Sequence, residues 1–213
     1  MTSPFQRDNL TLAFEQIKSH LELTQQLALD SDFYISDSNF SINSGTVAKK
    51  DARLWFKKMW QFQVHVTGED SYSVYSDAAS TNAGNNEFSA GVNFGEEDFI
   101  ARDPQSQLLI IGLSSLTDEN MRYQGVNIEE EYGVTLSFDT CTFSGGTTIS
   151  DRVLFDSLGK PYCHMEDTYS ETNGIYGRLA TAQFGIELRI DGACQRKICI
   201  ESISGFVDEC ECP

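Results

Sequence analysis

A chain of 213 residues, 40% hydrophobic and 11% aromatic, carries enough apolar side chain to bury a core and is not globally disordered. Its 32 acidic against 15 basic residues give a formal net charge of −17, a field that repels phosphate backbones and anionic membranes and argues against nucleic-acid binding. No run reaches the ~20 apolar residues of a membrane span; the longest, Leu108-Leu109-Ile110-Ile111, is strand-sized.

The first element is a helix over Asp8–Leu29. Leu10, Phe14, Ile17, Leu21, Thr24 and Ala28 recur at steps of four and three, which places them on one stripe of a helix. Good helix formers dominate and no Gly or Pro interrupts the run. Pro4 precedes it, and Asp8 or Asn9 can accept the orphan amides of the first turn. Phe14, Ile17 and Leu21 are the expected grip on a sheet, with Thr11, Glu15, Lys18 and Glu22 on the wet face.

Residues 30–51 are rich in Ser, Asn and Asp and read as a long connection, and 52–60 is ambiguous between helix and strand. Trp60 to Val66 alternates apolar and polar, Gly68-Glu69-Asp70 is a turn, and Tyr72 to Ser76 alternates again. Residues 52–76 therefore hold the first strands, paired as a hairpin, with His65 facing solvent. Asp77–Pro104 is a polar insertion. Its Asp and Asn side chains are able to hold calcium but lack EF-hand spacing, so a solvated loop is expected.

Residues 105–207 read as short strands: 108–113, 126–128, 134–138 and 152–156, then a polar loop over 162–176. A hairpin follows, 184–190 with 197–203 across Asp191-Gly192. A cysteine-containing tail, 208–213, ends the chain. One helix followed by many antiparallel strands predicts a single α+β domain, the helix packed on the sheet.

All six cysteines, Cys141, Cys163, Cys194, Cys199, Cys210 and Cys212, lie in the last third. The even count suits disulfides in an oxidising compartment. A zinc site is the weaker reading, because there is no CxxC and the three histidines are scattered. A reversal at Ser204-Gly205 would set Cys199 against Cys210 and Cys194 against Cys212, leaving Cys141 for Cys163. Six cysteines allow fifteen pairings, so the connectivity stays open. No signal peptide is visible at the start, and an export segment is expected upstream of these residues.

Catalytic patterns are missing from the sequence. There is no Gly-x-Ser-x-Gly elbow and no phosphate-binding glycine loop. His164 adjoins Cys163 in a loop, which is not a catalytic arrangement, and Glu129-Glu130-Glu131 reads as a solvated acidic face. No enzyme is expected.

Two pieces of the strand-rich half point further. The first is Arg152-Val153-Leu154-Phe155-Asp156-Ser157-Leu158-Gly159-Lys160-Pro161; the second is the hairpin from Ile186 to Ile203, closed by Ser204-Gly205-Phe206-Val207. In this order, behind a single N-terminal helix, they resemble the globular domains of minor pseudopilins and minor type IV pilins of the GspH/FimT kind. Residues 55–62, 72–77 and 19–28 also look like one bacterial branch of that family. Phe155, Asp156, Gly159, Pro161 and Gly205 carry the motif. The insertion and the cysteine tail have no clear counterpart.

The resemblance implies a non-catalytic subunit of a type II secretion pseudopilus or type IV pilus. It would work in the periplasm or at the cell surface, without a cofactor. Its partners would be other pilin or pseudopilin subunits, and the inner membrane through an apolar helix absent from these residues. The alternative is a free-standing secreted adhesin or ligand-binding domain.

Overall fold

The computed structural model describes residues 4–31, 59–65, 70–76, 100–112, 119–149, 151–163 and 179–213. Helix α1 (Pro4–Asp30) is followed by β1 (Trp60–His65), β2 (Ser71–Ser76), a short helix α2 (Ile128–Tyr132), β3 (Thr135–Phe138) and β4 (Thr140–Phe143). Then come β5 (Gly146–Ile149), β6 (Arg152–Phe155), β7 (Pro161–Cys163), β8 (Phe184–Ile190), β9 (Ala193–Ile200) and β10 (Val207–Cys210). Among the described residues the strands form two four-stranded sheets, ordered β2-β1-β6-β7 and β10-β9-β8-β3, and a separate hairpin β4-β5. Every strand pair is antiparallel. The fold is α+β, one long N-terminal helix contacting antiparallel sheets.

The helix starts earlier than the capping pattern predicts. Pro4 opens it, since a first-turn residue needs no amide hydrogen, and Asp8 and Asn9 fall inside it rather than at its cap. Its 27 residues span roughly 40 Å at 1.5 Å each. Leu10, Ala13, Phe14, Ile17, Leu21, Thr24 and Ala28 are buried, while Thr11, Glu15 and Glu22 are exposed. The stripe meets Phe62, Val74, Val153 and Phe155 of the first sheet and Ile186, Leu188, Ile198 and Ile200 of the second in one core. Each such large side chain contributes about 1.5–3 kcal/mol by leaving water.

Alternation in β1 and β2 does not separate a dry face from a wet one. Gln61, Gln63, Ser71, Ser73 and Tyr75 are also buried. Beside β2 lies a second apolar cluster of Tyr75, Ile100, Leu109 and Ile111, with Met121 against it. Residues 108–112 are accordingly extended but form no strand: Leu109 bridges Arg102 on one side and Arg122 on the other. Ala101 donates to the Val74 carbonyl at 2.9 Å and Val74 to that of Ile110 at 3.0 Å. The end of the polar insertion, Ile100–Asp103, is thus docked rather than solvated; 77–99 lie outside the described residues.

Residues 126–128 are not a strand either. A 3-10 turn (Gln124–Val126) leads into α2, which opens on Glu129, Glu130 and Glu131. Carboxylates suit a helix start and a left-handed glycine its end, and Gly133 has φ 67°. The buried Asp70 carboxylate accepts the Leu136 amide at 2.7 Å and so ties the start of β2 to β3. In the β8–β9 hairpin Asp191 and Gly192 both have positive φ, 52° and 76°, as a two-residue primed turn requires. Tyr162 and Cys163, expected in a loop, belong to β7, the rest of that stretch to 176 lying outside the described residues, and the tail is largely strand, because Asp208–Cys210 pair with β9.

Candidate functional site

Helix α1 is the hub on which distant segments converge, and the motif residues converge at its C-terminal end. Phe155 is fully buried at the end of β6. Asp156 shapes the next turn: one carboxylate oxygen accepts the amides of Leu158 and Lys160 at 2.9 and 2.8 Å, the other the Tyr162 hydroxyl at 3.0 Å. Gly159, at φ 74°, closes the turn by donating to the Asp156 carbonyl at 2.8 Å, and Pro161 then opens β7. Gln25 of α1 donates through one amide nitrogen to the carbonyls of Gly159 at 2.9 Å and Ser204 at 2.8 Å. A Cβ on Gly205 would land on the Gly159 carbonyl oxygen and lie 3.1 Å from the Phe155 ring. Gly159 and Gly205 therefore meet at Gln25, with the Phe155 ring beside Gly205.

Midway along the helix lies a buried polar cluster that the sequence reading missed. Gln16 Nε2 donates to the Tyr72 hydroxyl at 2.8 Å and to the Gly125 carbonyl. Its Oε1 accepts the hydroxyls of Tyr123 at 3.0 Å and Tyr132 at 2.7 Å. His20 Nδ1 lies 2.7 Å from the Tyr72 hydroxyl and Nε2 3.3 Å from Asp103 Oδ1. Asp103 Oδ2 accepts the Ser106 amide and hydroxyl at 2.6 and 2.7 Å. His20 sits three residues after Ile17 and four before Thr24, on the apolar stripe, and that position was the available signal.

Burial pushes His20 below its ordinary pKa, against the opposing pull of the Asp103 hydrogen bond and charge. Burial works to raise Asp103, but the Ser106 donors and His20 outweigh it and leave it lowered. Tyr72 is pushed up by its burial. An aspartate–histidine–hydroxyl row can relay a proton, but the Tyr72 hydroxyl is enclosed, its residue at 0% exposure. This row therefore ties the helix to β2 and to residues 103–106.

Toward the N-terminal end, the Arg196 guanidinium lies 3.5 Å over the Phe14 ring and donates to both carboxylate oxygens of Glu209 at 2.8 Å, which holds the Glu209 carboxyl below its usual pKa. Lys18 reaches Glu22 at 3.9 Å and Asp208 at 3.5 Å. Of the three expected grip residues, Ile17 and Leu21 are fully buried and Phe14 nearly so.

His65 is not a surface histidine. It is half-buried, 2.9 Å from the Ser73 hydroxyl. Burial, then the Arg152 charge, lowers its pKa to about 4.

Three disulfides join Cys141–Cys163, Cys194–Cys212 and Cys199–Cys210, with Cα separations of 5.7, 5.9 and 5.8 Å. The last two are the pairs that a reversal at Ser204-Gly205 sets face to face, and the first is the remaining pair. The first fastens the β4–β5 hairpin to the first sheet, and the other two tie β9 to the chain end. Three disulfides indicate an extracytoplasmic protein. Among the described residues no His, Cys, Asp and Glu gather as a metal site, and no helix is long and apolar enough to cross a membrane. The calcium reading for 77–104 and the Cys163–His164 neighbourhood rest largely on residues outside those described.

Comparison with protein-family models, with curated proteins and with solved structures finds no match.

Proposed function

We propose that the chain is the globular domain of a non-catalytic minor pseudopilin or minor pilin, which adds to the assembly or tip of a type II secretion pseudopilus or type IV pilus. The observation that carries this reading is the joining of both motif turns, at Gly159 and Gly205, to Gln25 on one long N-terminal helix. The helix buries one stripe in the domain and leaves Thr11, Glu15 and Glu22 outside, a face free to lie among neighbouring helices. In this reading the domain stands in the bacterial periplasm or at the cell surface, held to the inner membrane by an apolar segment continuous with α1 until assembly. Its partners are other pilin-like subunits.

The test is expression from the native gene beside the host's pilin-like subunits, with and without its prepilin peptidase. The expected result is a membrane-held precursor, shortened only when the peptidase is present and recovered with sheared filaments. Cleavage by an ordinary signal peptidase and release as a free monomer would overturn the reading in favour of a secreted adhesin or ligand-binding module.

A further inference from the structure

Hydrogen-bond polarity around Tyr72 is fixed by its neighbours. The Gly125 carbonyl can only accept and the Tyr123 and Tyr132 hydroxyls donate to the opposite end, so Gln16 must present its NH₂ group to Tyr72. The Tyr72 hydroxyl already receives that hydrogen and, among the described residues, can send its own only to His20 Nδ1. His20 Nδ1 is therefore bare, and the imidazole hydrogen sits on Nε2, donated to Asp103. Each member of the row is satisfied in one arrangement alone.

We propose that the His20–Tyr72 hydrogen bond is an acid-sensitive latch between α1 and β2, which a proton on His20 Nδ1 reverses and opens. The proton comes from bulk water. Once on Nδ1 it turns that nitrogen into a donor, and the Tyr72 oxygen then receives two hydrogens while its own has no acceptor. Tyr72 has no exposed surface, so water does not supply one, and a stranded buried donor is costly.

The groups facing His20 are few. From 100–112 it meets the Asp103 carboxylate; from β2, the Tyr72 hydroxyl and ring; from the turn before α2, the Tyr123 ring at 5.7 Å. Glu131 of α2 acts on Tyr123 and Tyr132, behind Gln16. Asp103 favours the added proton and keeps His20 titratable; Tyr72 and Gln16 make its arrival disruptive. The latch lies on the helix between Ala13 and Thr24.

Imidazole nitrogen spectra of the oxidised protein, taken from about pH 8 to 4 around the ordinary histidine value, test this together with amide exchange corrected for intrinsic rate. His20 is expected as the Nε2–H tautomer at neutral pH. Protection of α1 from Ala13 to Thr24 should fall in step with His20 protonation, ahead of β8 and β9. Tyr72→Phe removes the stranded hydroxyl, so the His20 midpoint should move up and α1 protection should depend less on pH. His20→Gln should remove the part of the fall in α1 protection that runs ahead of β8 and β9. An Nδ1–H tautomer, a His20 midpoint unmoved in Tyr72→Phe, or unchanged pH dependence in His20→Gln would each overturn the proposal. If neither variant folds, the wild-type titration decides: α1 protection that ignores His20 protonation sinks the latch.

Discussion

Gly205 shows how much one missing methyl group can settle. It has φ 69°, a region that costs L-residues energy, and its Cα faces the Gly159 carbonyl closely enough that an added Cβ would collide with the oxygen. Relief requires moving the turn that Gln25 holds, so strain and two hydrogen bonds are at risk together. Gly205→Ala is expected to destabilise the domain by about 1–3 kcal/mol, measured by urea unfolding of the oxidised protein. Gly192 has a similar φ, 76°, but nothing within reach of a Cβ. Alanine there should lose less, which separates the collision from the backbone term.

Element by element, the sequence was legible where periodicity was local. The stripe of α1 read correctly because its 3.6 repeat and its burial agree, and the hairpin at Asp191-Gly192 because turn chemistry is short-range. Strands β1 and β2 read correctly as strands and wrongly as half-wet. Gln61, Gln63 and His65 look outward-facing, but Arg152 and Tyr75 reach Gln61 and Gln63 from β6 and β2, His65 meets Ser73, and no local pattern announces such partners. The His20 cluster was missed for the same reason, since Tyr72, Asp103 and Tyr123 come from three separate segments. The motif turns were visible as glycines in order, but their common partner Gln25 was not.

The disulfides belong to this scale as well. Cys141 and Cys163 are fully buried and separated by 22 residues. Replacing both by serine is expected to lose about 3 kcal/mol, mainly through a freer unfolded chain, read by denaturant unfolding. Non-reducing mass spectrometry after alkylation should find no modified cysteine in the wild-type protein; six alkylated thiols would overturn the pairing.

For the whole molecule, pH acts through several buried groups with different signs. His65 titrates near 4 when folded and near 6.5 when unfolded. Between those values the unfolded chain binds more protons, so stability rises with pH across the window and levels off above it. His20, lowered in the same direction, adds to that slope. Asp103, also lowered, adds stability that is present above the ordinary carboxylate value and lost as pH falls through its folded pKa. Asp70 works against these: burial, outweighing the Leu136 amide, raises it, so its contribution fades as pH rises. Urea unfolding at successive pH values should show stability falling from about pH 6.5 toward 4, and His65→Gln should flatten part of that fall. An unchanged slope in His65→Gln would show that His65 is not titrating as its surroundings dictate.

A consequence for mechanics follows from how the chain is closed on itself. The Cys141–Cys163 loop encloses 22 residues, and the Cys194–Cys212 loop encloses 18 with Cys199–Cys210 nested inside it. At about 3.5 Å per extended residue, on the order of 130 Å of chain cannot pay out when the ends are pulled apart. Stretching single molecules with and without reductant should reveal that hidden length. Under tension along α1, residues 141–163 and 194–212 would hold as two closed loops, and extension would be drawn from the chain between the helix and Cys141 and between Cys163 and Cys194.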